Sequence, residues 1–182
     1  MDESYTSYLI NKKNMIESVD DGWVSFAEKN HGKELINERV VYRDINAVIA
    51  CKTCQELYDM LIESVRAKQK TIYFPFRCDS PEARRYMTME MAPLHQKKIL
   101  FTSYLEKEDR RTPLALLDIM TARSDEIIMI CSWCKRIRAE KDIWLEAEEA
   151  VEKMLLFNRS PLPQLSHGIC PSCYDLLLQK IV

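Results

Sequence analysis

TIYFPFRC at residues 71–78, YMTMEMAP at 86–93 and ILFTSYL at 99–105 decide the fold. Each alternates with a period of two, the pattern of a half-buried strand. Ile72, Phe74, Phe76 and Cys78 share one side of the first; Met87, Met89 and Met91 share one side of the second. Ile99, Phe101, Ser103 and Leu105 do so in the third. The connections, Asp79-Ser-Pro81 and Leu94-His-Gln-Lys97, are short enough for antiparallel neighbours. A sheet with one apolar face needs a second layer. The methionine stripe serves either as core or as the wall of a ligand cavity, since Met adapts to both.

The covering layer lies upstream. Thr53 and Glu56 read as a capping box, opening a helix with Leu57, Met60, Leu61 and Val65 on one face and its end near Lys68. Residues 42–51 are ambiguous. Trp23-Val-Ser-Phe-Ala27 is predicted as a strand, 29–33 as a turn, and Leu35 and Ile36 as part of a second short strand. Tyr5, Leu9, Ile16 and Val19 predict an amphipathic helix over 4–20. Thr112 and Pro113, as cap and first helical residue, predict a connecting helix. The resulting class is α+β: a five-stranded antiparallel sheet with a helical middle, then a small C-terminal module.

That module carries two CxxC units, Cys131-Ser-Trp-Cys134 and Cys170-Pro-Ser-Cys173, separated by 35 residues. A tight CxxC turn supplies two thiolates from one stretch of backbone, and two such turns complete a tetrahedral zinc shell. Lys135, Arg136 and Arg138 can offset the thiolate charge. Pro171 suits the first position of a helix through Tyr174, Leu177, Leu178 and Ile181, whose N-terminus favours thiolate. A knuckle, a hairpin and a CxxC opening a helix outline a treble-clef zinc finger. The competing reading is four buried thiols or two disulfides. Iron suits the same ligands. His167 is a fifth candidate ligand or a residue bracing the sulfurs from outside the shell. Four thiolates leave no open position for water, so the expected site is structural rather than catalytic.

Two stretches resemble known families. The order strand, strand, helical middle and three-stranded meander over 23–108 resembles a PAS domain, the sensor module of bacterial signalling proteins. Phe76-Arg-Cys-Asp-Ser-Pro81 with Arg84-Arg-Tyr-Met87 looks like PAS-like bacterial proteins. Ile130-Cys-Ser-Trp-Cys-Lys-Arg-Ile-Arg138, Trp144 and Ser166-His-Gly-Ile-Cys-Pro-Ser-Cys173 resemble a zinc-binding module appended to such sensors. The stretch 156–163 is longer than in many of those modules. The resemblance implies an N-terminal helix over 1–22, a sensor domain over 23–110, a connecting helix over 111–126 and a zinc module over 127–182. It implies a cytoplasmic, non-catalytic sensor or adaptor with an unnamed small-molecule ligand, a signalling partner and a structural Zn²⁺. The apolar stripe of the first helix, with no partner in the chain, adds a homodimer.

Composition bounds the alternatives. The net charge is −2, and residues 126–182 hold seven Lys plus Arg against eight Asp plus Glu. That balance disfavours nucleic acid, although Lys135-Arg-Ile-Arg138 keeps a transcription-associated zinc-finger protein in view. No secretory signal or membrane-length apolar run is visible. Seven cysteines, an odd number, fit a reducing compartment better than a disulfide framework. Cys51-Lys-Thr-Cys54 is a third CxxC at a helix start, where a thiol becomes reactive, so a redox switch is the other alternative. Arg77, Asp79, Arg84 and Arg85 form either an ion-pair network or an anion site. Phosphate loops, a nucleophile elbow and H-E-x-x-H are absent, which argues against an enzyme.

Overall fold

An asparagine-bounded turn, Asn11 to Asn14, sets the architecture of the N-terminus in the computed structural model, which describes residues 5–30, 32, 35 and 37–181. Asn14 sits at φ 63°, and the Asn11 side chain accepts from the N–H groups of Lys13 and Met15. Asn tolerates that left-handed conformation better than most residues. The turn folds β1 (Tyr5–Ile10) against β2 (Ile16–Val19) as an antiparallel pair. The predicted helix over 4–20 is therefore corrected: helical spacing there was coincidental, and the turn chemistry prevails. Ile16 is fully buried in the chain's own core and Val19 packs against it. Of the stripe offered for a homodimer, Ile16 is buried, Leu9 and Val19 are half-buried and Tyr5 is exposed.

The predicted strand at Trp23–Ala27 is likewise a helix, α1 (Asp21–Lys29). Asp20 caps it, accepting from the Trp23 N–H at 2.7 Å. The cap outweighs the strand propensity of Trp, Val and Phe. Gly22 lets α1 approach β1 closely, because a Cβ there would lie 2.6 Å from the Tyr5 carbonyl oxygen. Leu35 lies in a 3₁₀ turn rather than a strand, and Ile36 lies outside the described residues. A short α2 (Asn37–Val40) and a 3₁₀ turn at Ile45–Val48 lead into α3 (Lys52–Lys68).

The cap of α3 is Cys51, whose carbonyl accepts from Gln55 N–H and whose Sγ accepts from Cys54 N–H. Thr53 and Glu56 are exposed, so the expected capping box is not used. Leu57, Leu61 and Val65 are buried as expected, together with Ile62, while Met60 faces solvent. The helix ends at Lys68, with Gln69 in the left-handed conformation.

Strands β3 (Ile72–Arg77), β4 (Ala83–Pro93) and β5 (Ile99–Arg110) form the expected meander. Their sheet is antiparallel, in the order β2-β1-β5-β4-β3. The α+β class and the five strands thus match the sequence reading, with the first two strands lying earlier in the chain. Phe74, Met89, Met91, Ile99 and Phe101 pack beneath α3 in one core.

No connecting helix follows. Thr112 and Pro113 precede only a 3₁₀ turn at Ala115–Leu117. Arg111 explains this: its guanidinium donates to the carbonyls of Ser80 and Pro81, drawing the chain back over the β3–β4 turn. A second sheet then forms from β6 (Arg123–Cys131), β7 (Ile137–Arg138), β8 (Trp144–Leu145) and β9 (Leu162–Gly168) in the order β8-β7-β6-β9. Between β8 and β9 lies α4 (Ala147–Lys153), and α5 (Pro171–Ile181) ends the described chain. A satellite core of Leu116, Ile128, Ile130, Ile137, Ala147, Ala150, Leu156 and Leu162 supports this sheet. The final helix does not join it. Leu177 packs into the main core, and the Ile181 carbonyl accepts from Ser64 Oγ and Lys68 Nζ on α3. No described helix is long and apolar enough to cross a membrane.

Ion pairs bind the two sheets together. Asp79, 1% exposed, pairs with both Arg77 and Arg111, each 8% exposed. Arg77 also reaches Glu146 at 2.5 Å, and Arg84 and Arg111 hold Glu148 at 2.6 and 2.8 Å. Arg85 pairs instead with Glu108. The expected network exists, and it spans from the β3–β4 turn to α4.

Its pH response follows. Burial alone raises the Glu148 pKa, but hydrogen bonds from Arg84 and Arg111 outweigh it and hold the carboxyl at about 2. Glu146 is lowered too: Arg77 and Arg136 overcome its burial. A depressed folded-state pKa contributes stability above the ordinary value of 4.5, lost as pH falls towards about 2. Glu148→Gln is expected to flatten the stability profile between those limits, measured by urea unfolding. An unchanged acid limb would contradict the assignment.

Candidate metal centre

Each cysteine of the two expected pairs is placed by a different element. Cys131 ends β6 and opens a knuckle closed by Lys135 N–H donating to the Cys131 carbonyl at 3.0 Å. Lys135 takes φ 61°, the left-handed turn that returns the chain into β7. Cys170 precedes Pro171, and its carbonyl accepts from Cys173 and Tyr174 N–H as α5 begins. Parallel pairing of β6 with β9 brings the two pairs together: Cys131 lies opposite Gly168, and Ser132 N–H donates to the Gly168 carbonyl.

The four sulfurs lie within 4.8 Å of one another, with Cys134 and Cys170 3.7 Å apart. Zn–S bonds of about 2.3 Å at tetrahedral angles give sulfur separations of about 3.8 Å, so the cluster fits a tetrahedral ion. Cys131 and Cys170 are buried; Cys134 and Cys173 are half-buried. Crowding splits their acidities. Hydrogen bonds from Cys134, Cys170 and Cys173 pull Cys131 well below the thiol range, while those with Cys131, Cys134 and Cys170 push Cys173 far above it. The four sulfurs can lose their protons together only with a cation between them, and the cluster can hold a metal ion. Cys170 N–H donates to Cys131 Sγ at 3.4 Å, and Arg136 lies beside the sulfurs while donating to Glu146 at 3.1 Å.

His167 is exposed on β9 and stands outside the four-sulfur group. Its pKa is lowered, first by partial desolvation of the ring and then by Lys135. Arg138 donates to the carbonyls of Glu140 and Lys141, away from the thiolates.

Cys51 and Cys54 are joined as a disulfide next to the centre. Cys54 Sγ lies 3.5 Å from Ser132 Oγ and 3.7 Å from the Gly168 carbonyl, so it touches both cysteine-bearing segments. The sequence does not reveal this neighbourhood.

Trp133, between the first two ligands, is the residue that sequence reasoning left without a role. It is 4% exposed, with its ring 5.4 Å from Tyr58 and 6.5 Å from Phe74. Its carbonyl accepts from Arg77 N–H at 2.7 Å. Tyr58 in turn lines a 330 Å³ cavity between the first sheet and the helical middle, with Met87 and Met89 on its walls. Met91 is core, and Met89 belongs both to the core and to the cavity wall. The methionine stripe therefore packs the core and also walls a cavity.

The chain thus combines an α+β fold carrying a five-stranded antiparallel sheet with a cysteine cluster able to hold a metal. No protein-family model and no curated protein matches it. Among solved structures it is similar to a domain of HTR-like protein from Haloarcula marismortui ATCC 43049, at 14% identity and a TM-score of 0.37. That match covers 59% of this chain and 98% of the other. A TM-score of 0.37 is too low to define a shared fold.

Proposed function

We propose that this chain is a non-catalytic sensor or adaptor whose PAS-like domain takes a small molecule and passes its occupancy to a structural zinc site. Cys131, Cys134, Cys170 and Cys173 would hold the Zn²⁺. The observation that carries this reading is the contact between Trp133, inside the first CxxC, and Tyr58, on the cavity wall. A change at the cavity then reaches the metal ligands through one layer of rings. The order of two strands, helical middle and three-stranded meander supports the PAS-like reading. A reducing cytoplasm is the location we propose, since it keeps the four clustered thiols available; a Cys51–Cys54 disulfide there belongs to the transient, redox-responsive kind.

Metal analysis should find about one equivalent of zinc, lost in Cys170→Ser. Tyr58→Ala is expected to change the rate at which a chelator removes the metal by about tenfold. The exposed Tyr73→Ala should leave that rate alone. Equal rates in all three proteins would contradict the coupling.

The Cys51–Cys54 pair supports a second reading, a thiol switch, because Cys54 abuts both metal-binding segments. Opening the pair takes two electrons and two protons from an external dithiol, which becomes a disulfide. Identical metal-release rates before and after that reduction would remove this reading.

A further inference from the structure

The cavity beside Tyr58 has a chemistry that narrows its occupant. Its 330 Å³ corresponds to about eleven waters at roughly 30 Å³ each, hence to a ligand of similar heavy-atom count. Among the described lining residues none is Asp, Glu, Lys, Arg or His. A charged ligand would lose its hydration there without a counter-ion among the described lining residues. Tyr8, Trp23, Phe26, Tyr58 and Phe76 supply aromatic walls. Tyr8 is fixed by a stacked contact with Phe101 at 4.6 Å and an edge contact with Trp23 at 5.3 Å.

The polar groups divide into two sets. Trp23 Nε1 already donates to the Leu35 carbonyl at 2.7 Å, Asn30 Nδ2 to the Phe26 carbonyl at 2.8 Å, and Ser103 Oγ approaches Met89 Sδ at 3.7 Å. The hydroxyls of Thr6, Tyr8 and Tyr58 have no hydrogen-bond partner among the described residues. Burial pushes the phenols of Tyr8 and Tyr58 up, and the nearby Tyr58 raises Tyr8 further. Both phenols are therefore protonated at neutral pH and able to donate. Hydroxyls that line a cavity without protein partners favour an occupant that completes them.

We infer that the cavity binds an uncharged, flat, largely apolar molecule whose hydrogen-bond acceptor is received by the hydroxyls of Tyr8 and Tyr58. This rests on the sensor reading above and deepens it by naming the ligand class. A carbonyl on a fused-ring or monocyclic aromatic frame meets every requirement. An acceptor-free hydrocarbon meets only the apolar walls, and a carboxylate meets neither the walls nor the charge balance.

Calorimetric titration of the full, metal-loaded chain with three probes tests this. Coumarin is neutral with a carbonyl, naphthalene lacks an acceptor, and coumarin-3-carboxylate adds a charge. Coumarin is expected to bind at least tenfold more tightly than either of the others. Tyr8→Phe and Tyr58→Phe, which keep the rings, should each weaken coumarin about tenfold and leave naphthalene unchanged. Comparable binding of naphthalene and coumarin, undiminished coumarin binding in both Phe variants, or equal binding of the carboxylate would each overturn the ligand class while sparing the cavity reading. Binding of none of the three would overturn the sensor reading itself.

Discussion

Stripping the metal, or replacing Cys170 by Ser, is expected to destabilise the whole chain rather than its C-terminal third alone. Structural zinc contributes on the order of 10 kcal/mol in small zinc-binding peptides, comparable with the entire net stability of an ordinary domain. Sequence reasoning places the metal beside a small core of Trp144, Ala147, Val151, Leu155 and the final helix, and expects that part to loosen more than the sensor domain. The packing changes the expectation. Cys131, Trp133, Cys170 and Leu177 belong to the same core as Leu61, Phe74 and Phe101, while Leu155 is exposed. Without the metal, two crowded cysteine pairs are left in that core, and α5 loses its anchor against α3. Thermal unfolding followed by circular dichroism should show a downward shift of at least about 20 °C on chelation, since about 1 kcal/mol moves the midpoint by 2–4 °C in a chain of this size. A midpoint within a few degrees of the metal-loaded protein would contradict the assignment.

Asp79→Ala is expected to have the next largest effect. Asp79 is 1% exposed and receives Arg77 and Arg111, both nearly as buried. Removing one partner of a buried pair strands the other charge, at a cost of about 3–5 kcal/mol. Here Glu146 still holds Arg77 and Glu148 still holds Arg111, so the loss should fall near about 3 kcal/mol. The same change loosens the β3–β4 turn that carries Arg111's contacts to Ser80 and Pro81. Asp79→Asn, which keeps the acceptor oxygen, should cost less. Urea unfolding decides: a loss under about 1 kcal/mol for Asp79→Ala would mean that the network is incidental.

The meander was legible because Ile72 to Leu105 alternates cleanly and its connections are short. The four clustered cysteines were legible because spacing alone brings two thiols together in a CxxC, and methionine-rich β4 announced its buried side by period. The first thirty residues misled for a physical reason. Tyr5, Leu9, Ile16 and Val19 fit a helical period, but their faces are set by the Asn11–Asn14 turn and by the Asp20 cap, two local hydrogen-bond devices that hydrophobic spacing does not register. Thr112 and Pro113 offered a helix start that a tertiary contact, Arg111 on the Ser80 and Pro81 carbonyls, overrode. The aromatic contact of Tyr58 with Trp133 and the approach of Cys54 to Ser132 and Gly168 join positions far apart in the chain. Nothing in local sequence encodes them; they exist only once α3 lies across the cysteine-bearing segments.

The central claim is that the metal centre and the cavity-bearing domain share one core, coupled through Trp133 and Tyr58. Hydrogen exchange of the metal-loaded and chelated protein, resolved by segment, tests it most directly. The account predicts that chelation strips protection from α5 and β6 and also from α3 around Tyr58 and from β3 around Phe74. Loss of protection confined to 123–181, with α3 and β3 unchanged, would contradict it.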